Sequence, residues 1–202
     1  MTEPAENLYA EVRELASAVE DLSPRCKAAI FGTCGRVFAP LSYQAEQRSQ
    51  GRWSSPNYSV ALDVIEAFAN GSAQAEDHEE LRAQLVAAPV SGDYPWSTYA
   101  QDAIICTDGG LAAASVSDSP KSELIYYALE PLICSLESRD VEIIRTYGNG
   151  YWSREIIKDP AMERAIEFLR NSIAMLSQVV SVDMLELEKL VGEAAVLRPV
   201  ET

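Results

Sequence analysis

The sequence predicts an all-α protein, a single domain over residues 1–202 built as a bundle of about eight helices, two of them kinked at proline. Three observations predict it. Apolar residues recur at steps of three and four through most of the chain, the spacing that places a stripe on one face of a helix. Four prolines directly follow a helix-capping residue, at Ser23-Pro24, Ser55-Pro56, Ser119-Pro120 and Asp159-Pro160. The cap oxygen accepts from an amide that has no partner inside the helix, and proline at the first helical position gives up an amide that would have had none. Finally, no segment alternates apolar and polar residues for long enough to make a strand.

The elements follow in order. A first helix is expected near 4–21, where Leu8, Val12, Leu15, Val19 and Leu22 form one apolar stripe opposite glutamates. The second, near 24–49, contains "CKAAIFGTCGRVFAP". There Cys26, Ile30, Cys34 and Val37 share a stripe, Gly32 and Gly35 leave room for a neighbouring helix, and Pro40 bends the exit. Helices near 56–70, 75–87 and 97–117 come next, the last with Gly109-Gly110 at a close crossing. A helix near 120–146 is expected to bend at Pro131. The pattern Met162, Ile166, Leu169, Ile173, Leu176 and Val180 predicts a helix over 160–180, and a final helix is expected near 182–196.

Charge narrows the function classes. The formal net charge is −15, with 16 basic and 31 acidic side chains spread along the whole length. Such a surface repels phosphate backbones and anionic lipid, so neither nucleic acid nor membrane is an expected partner. It favours a basic partner, or no partner at all, the charge then serving solubility. No apolar run approaches the roughly 20 residues of a membrane span. The N-terminus "MTEPAENLYAEVREL" is acidic and polar, unlike a signal peptide, so the expected location is cytoplasmic.

Catalytic signatures are sparse. The cysteines, Cys26, Cys34, Cys106 and Cys134, make no C-x-x-C, and His78 is the one histidine. No metal site follows from that set, because structural zinc and helical di-iron sites need paired ligands at short spacing. "EDHEE" at 76–80 reads as an acidic first turn complementing a helix dipole. Cys26 and Cys34 lie two turns apart on one helix, about 12 Å, too far for a disulfide. No catalytic residue and no cofactor is nominated. The loop aromatics stand out instead: Tyr94, Trp96 and Tyr99 in "SGDYPWSTY", and Tyr151 and Trp152 in "YGNGYW", are candidate partner-binding residues. Tyr and Trp dominate interface hot spots, and loops carry function more often than the elements they join.

"AAIFGTCGRVFAPLSYQ" resembles a segment of the YjaG-like family of bacterial proteins, through Cys34, Arg36, Pro40 and Tyr43. "ALDVIEAF" with Asp63, "AQDAIICTDGGL" with Asp102 and "KDPAMERAIEFL" are similar to later segments of that family. The resemblance implies an all-helical single domain and no particular activity. It also draws attention to Arg36 on an otherwise apolar helix. A buried arginine must be paired, so Arg36 is expected to contact Asp63 or Asp102 in a structural polar network that sets helix register.

A small, acidic, helical profile without catalytic signatures resembles that of bacterial immunity proteins. The expected function is a protein-binding module that binds and neutralises a cognate basic toxin. The alternatives are a small-molecule enzyme using a carboxylate or cysteine in a cleft between helices, and a structural or regulatory homo-oligomer.

Overall fold

Four helix starts in this chain are marked by a cap side chain that takes up an orphan amide. In the computed structural model, which describes residues 7–49, 57–86, 95–139 and 154–199, Asn7 accepts from the Ala10 amide at 3.0 Å and opens α1, Leu8–Glu20. Ser23 accepts from Cys26 at 3.3 Å and opens α2, Pro24–Arg48. Helix α3, Tyr58–Ala69, follows Asn57, and α4, Glu79–Val86, carries Glu79 and Glu80 in its first turn. Helix α5 spans Pro95–Ala114. A 3-10 segment, Ser122–Ala128, leads into α6, Glu130–Arg139. Asp159 caps α7, Pro160–Leu176, and Asp183 caps α8, Met184–Glu193, each accepting an amide at 2.8 Å. A short 3-10 turn, Ala194–Leu197, closes the described chain.

The all-α class holds. Among the described residues there is no strand, only a lone parallel bridge between Glu76 and Ser115. No described helix is long and apolar enough to cross a membrane.

Three expectations need correction. The helix near 120–146 breaks at Leu129 into the 3-10 segment and α6. Pro131 is therefore the second residue of α6 and bends nothing, since an amide there has no intrahelical partner to lose. Ser119-Pro120 is not a cap: Lys121 precedes the 3-10 segment without a side-chain bond, and the Ser119 amide is held by Asp118 at 2.7 Å. Helix α7 stops at Leu176, so Val180 leaves the apolar stripe and is 78% exposed. Pro40 does lie inside α2, which runs on to Arg48. Ser55-Pro56 falls outside the described residues.

Helices α2, α3 and α5 form the centre. α2 packs most extensively on α5, and α3 covers both. Gly35 permits the closest approach: a Cβ there would sit 2.5 Å from Thr107 Oγ1 and 3.1 Å from Leu62 Cδ2. Beside it the Tyr58 hydroxyl, fully buried, donates to the Gly35 carbonyl at 2.6 Å, and Thr107 donates to Ala103 O at 2.8 Å. The Cys26, Ile30, Cys34 and Val37 stripe is at most 1% exposed and joins one continuous apolar cluster running from Leu8 to Leu197. Helix α1 packs on the 3-10 segment and α7, α4 on α5, and α8 on α2.

Candidate functional site

Helix α5 carries a polar seam on its buried side. Asp102, Cys106 and Thr107 follow one another along it, each at most 2% exposed. Cys106 meets Cys34 of α2, and that thiol–thiol contact, together with burial, pushes the Cys106 thiol well up. Tyr58 is likewise raised, mainly by burial. The deep end of the seam is closed.

The other end opens toward α6, where Asp102 meets Glu130. Asp102 is 2% exposed and its Oδ2 has no donor among the described residues. Burial, then the charge and the hydrogen bond of Glu130, push the Asp102 carboxyl up to about 9. Burial raises Glu130 too, and the bond to Asp102 works against that rise. Two carboxylates have no proton to share, so their contact is repulsive; with one proton between them it becomes a hydrogen bond.

More acids surround the pair. Glu137 is raised by burial and by Glu130. Cys134, half-buried between Glu130 and Glu137 on α6, is pushed up to about 12 by burial and by Glu130, Asp102 and Glu137. Tyr99 of α5 is raised by burial and by Cys134 and Asp102. Tyr126 of the 3-10 segment is raised by burial and then by Glu130, Tyr9, Cys134 and Glu137. No Lys or Arg with a described side chain acts on any of these groups; the Arg139 side chain, on α6 itself, lies outside the described residues. Nor is there, among the described residues, a convergence of three acidic, Cys or His ligands fit for a metal ion.

The residues singled out in the sequence fall in three places. Arg36 reaches α3: its Nε donates to Glu66 Oε1 at 2.8 Å, and Nη2 lies 3.3 Å from Asp63 Oδ1. Burial works against the Arg36 charge, and the bonds to Glu66 and Asp63 more than offset it. Asp102 takes no part in this network, contrary to expectation, because it lies on the α6 side of α5 against Glu130. Arg36 is not sealed in the core either; its side chain is 31% exposed and that of Asp63 74%. Tyr99 sits inside α5, half-buried, rather than on a loop. Tyr94, Tyr151, Trp152 and the Trp96 side chain lie outside the described residues.

Glu66, Tyr126, Glu130, Cys134 and Glu137 were not singled out by sequence. Glu130, Cys134 and Glu137 are spaced by four and three, which puts them on one helix face. That spacing was readable; what the face opposes was not.

A cleft of ≈ 710 Å³ also separates α7 from α8, floored by Phe168, Met175 and Leu190. Arg164, Glu167, Lys189 and Glu193 mix both signs around it, so its electrostatics select no ligand.

No family model, curated protein or solved structure matches this chain.

Proposed function

We propose that the chain is a protein-binding module for a basic protein, with toxin neutralisation of the immunity type as the specific role. One observation carries this reading: the molecule uses many of its cations internally and leaves acids unpaired at its surface. Arg36 is held by Glu66 and Asp63, Arg82 by Asp108 and Asp118, and Arg170 by Glu11. Lys158 pairs with Glu155. Arg25 donates to the Phe68 carbonyl and lies 4.8 Å above the Phe68 ring. By contrast Glu20, Glu76, Glu163, Glu167 and Glu188 are exposed with no ion-pair partner among the described residues.

A field of this sign speeds encounter with a cationic surface and suppresses anionic partners. Nucleophilic cysteine chemistry has little support, since burial or its neighbours raise the Cys26, Cys106 and Cys134 thiols and a neutral thiol is a poor nucleophile. The family resemblance adds the expectation of an all-helical domain and leaves the activity open.

The test is affinity capture from the source organism at about 50 and about 500 mM salt, followed by association kinetics on the recovered protein. A basic partner whose on-rate falls steeply with salt is expected. A neutral or acidic partner, or an on-rate indifferent to salt, overturns the reading. So does a tight small-molecule thermal shift with no protein recovered.

A further inference from the structure

We infer that the α7–α8 face is where two copies of this chain pair, each lending Leu185 to the cleft of the other. This goes beyond the binding reading above and does not depend on it.

The ≈ 710 Å³ cleft between these helices is lined by residues of 164–196, inside a stretch, 154–199, that is described without a break. Its floor is apolar: Phe168 and Met175 come from α7, Leu190 from α8 and Val196 from the 3-10 turn that follows. Helix α8 buries Leu187 and Leu190 but leaves Leu185 75% exposed. Gly192 lines the cleft, and a Cβ there would meet nothing within 4 Å. Its φ is not positive, so no left-handed turn requires a glycine. Leu185, Glu188, Lys189 and Gly192 are spaced by three, one and three, which places all four on one face of α8. That face carries an apolar knob and an open gap about 10 Å apart along the axis, with one charge of each sign between them.

Such a face is complementary to itself. In a two-fold contact, if one residue meets a second, the second meets the first in return. Two antiparallel α8 helices with the axis between Glu188 and Lys189 set Leu185 of each copy over Gly192 of the other. The same alignment sets Lys189 of each copy opposite Glu188 of the other. It accounts for two features the single chain leaves without use: a leucine given to solvent, and a helical glycine where alanine winds better. The cleft charges favour the same occupant. Two cations, Arg164 and Lys189, and three acids, Glu167, Glu186 and Glu193, line it. Arg164 and Glu167 have no ion-pair partner among the described residues. Mixed signs select no ligand of one charge, but they suit a surface that meets its own copy. Two chains of net charge −15 repel each other, and a nearly balanced face lowers the cost of close approach.

The test is sedimentation equilibrium of the native chain at up to about 100 µM, beside Leu185→Glu. Val116→Glu is the control, the same change of charge at an apolar residue 68% exposed elsewhere. The native chain is expected to dimerise, Leu185→Glu to dimerise at least about tenfold more weakly, and the control to stay within about twofold. Register is read from Leu185→Cys/Gly192→Cys in a Cys134→Ser background, oxidised with copper–phenanthroline. Within one helix these two thiols are too far apart to bond, so a disulfide between them joins two copies. The double variant is expected to give a covalent dimer, and either single variant little. A native chain that stays monomeric overturns the proposal. So does a dimer that Leu185→Glu weakens no more than Val116→Glu does, or a double variant that cross-links no better than the single ones. If a monomeric native chain binds the apolar dye 1-anilinonaphthalene-8-sulfonate and Leu185→Glu does not, the cleft serves a foreign apolar ligand and the pairing is overturned.

Discussion

Replacing Asp102 with asparagine removes a buried titration without changing the side chain's shape. In the folded protein Asp102 holds its proton up to about 9. In the unfolded chain an aspartate loses it near 3.9. Between those values the unfolded state gives up a proton that the folded state retains, so stability falls as pH rises through that window. The slope is roughly 1.4 kcal/mol per pH unit, or about 4 kcal/mol between about pH 5 and about pH 8. That is a large share of the 5–15 kcal/mol a domain typically has. Asparagine carries no such linkage, and its amide can donate to Glu130 at any pH.

The assay is urea unfolding of both proteins at about pH 5 and about pH 8. The native chain is expected to lose stability across that interval by about 4 kcal/mol more than Asp102→Asn does. Glu130 and Glu137 are raised in the same direction and remain in both proteins, so a shallower common decline persists in the variant. Parallel profiles, separated by a constant offset, would show that Asp102 is not a retained acid and would refute the reasoning.

Other predictions test the packing. Gly35→Ala drives a Cβ to 2.5 Å from Thr107 Oγ1 and 3.5 Å from the Thr107 Cα, so the central α2–α5 crossing must open, at a cost of about 1–3 kcal/mol read as a lowered Tm. Gly192→Ala in α8 meets nothing within 4 Å and is expected to stabilise by about 0.5–1 kcal/mol in the same measurement. Arg170→Met strands the Glu11 carboxylate, which is 2% exposed and 2.7 Å from Arg170, and is expected to cost about 2–3 kcal/mol at neutral pH. Burial already raises Glu11, so that loss should shrink as pH falls and the acid takes up a proton.

What the sequence conveyed divides along physical lines. Helix positions were legible because they depend on short-range signals. Ser23 and Asp159, each followed by proline, cap as read, Asn7 and Asp183 cap without having been read as caps, and the stripes at Leu8–Leu22 and Met162–Leu176 are the faces that pack. The small residues of α2 and α5 also announced a close crossing. The break at Leu129 was not legible, because Ser122–Ala128 has helical composition and takes the tighter 3-10 winding in its place against α1 and α5. Pairing was only half legible. Arg36 clearly needed a carboxylate, but Asp63 and Asp102 were equivalent on paper, and Glu66, one turn beyond Asp63, makes the shorter bond. Which acid faces which helix depends on crossing geometry, and that is a property of the whole bundle.

The same distinction bears on how the Asp102 cluster should be understood. This fold is able to satisfy polar groups that it buries. Tyr58 finds the Gly35 carbonyl, Thr107 the Ala103 carbonyl, Ser135 the Leu132 carbonyl, and Glu11 the Arg170 guanidinium. Among the described residues Thr33 Oγ1 and Glu11 Oε1 also lack a hydrogen bond, the latter lying 2.7 Å from the Arg170 guanidinium as an ion pair. Asp102 is accommodated differently: it is buried against Glu130, and the proton it retains turns that contact from repulsion into a hydrogen bond.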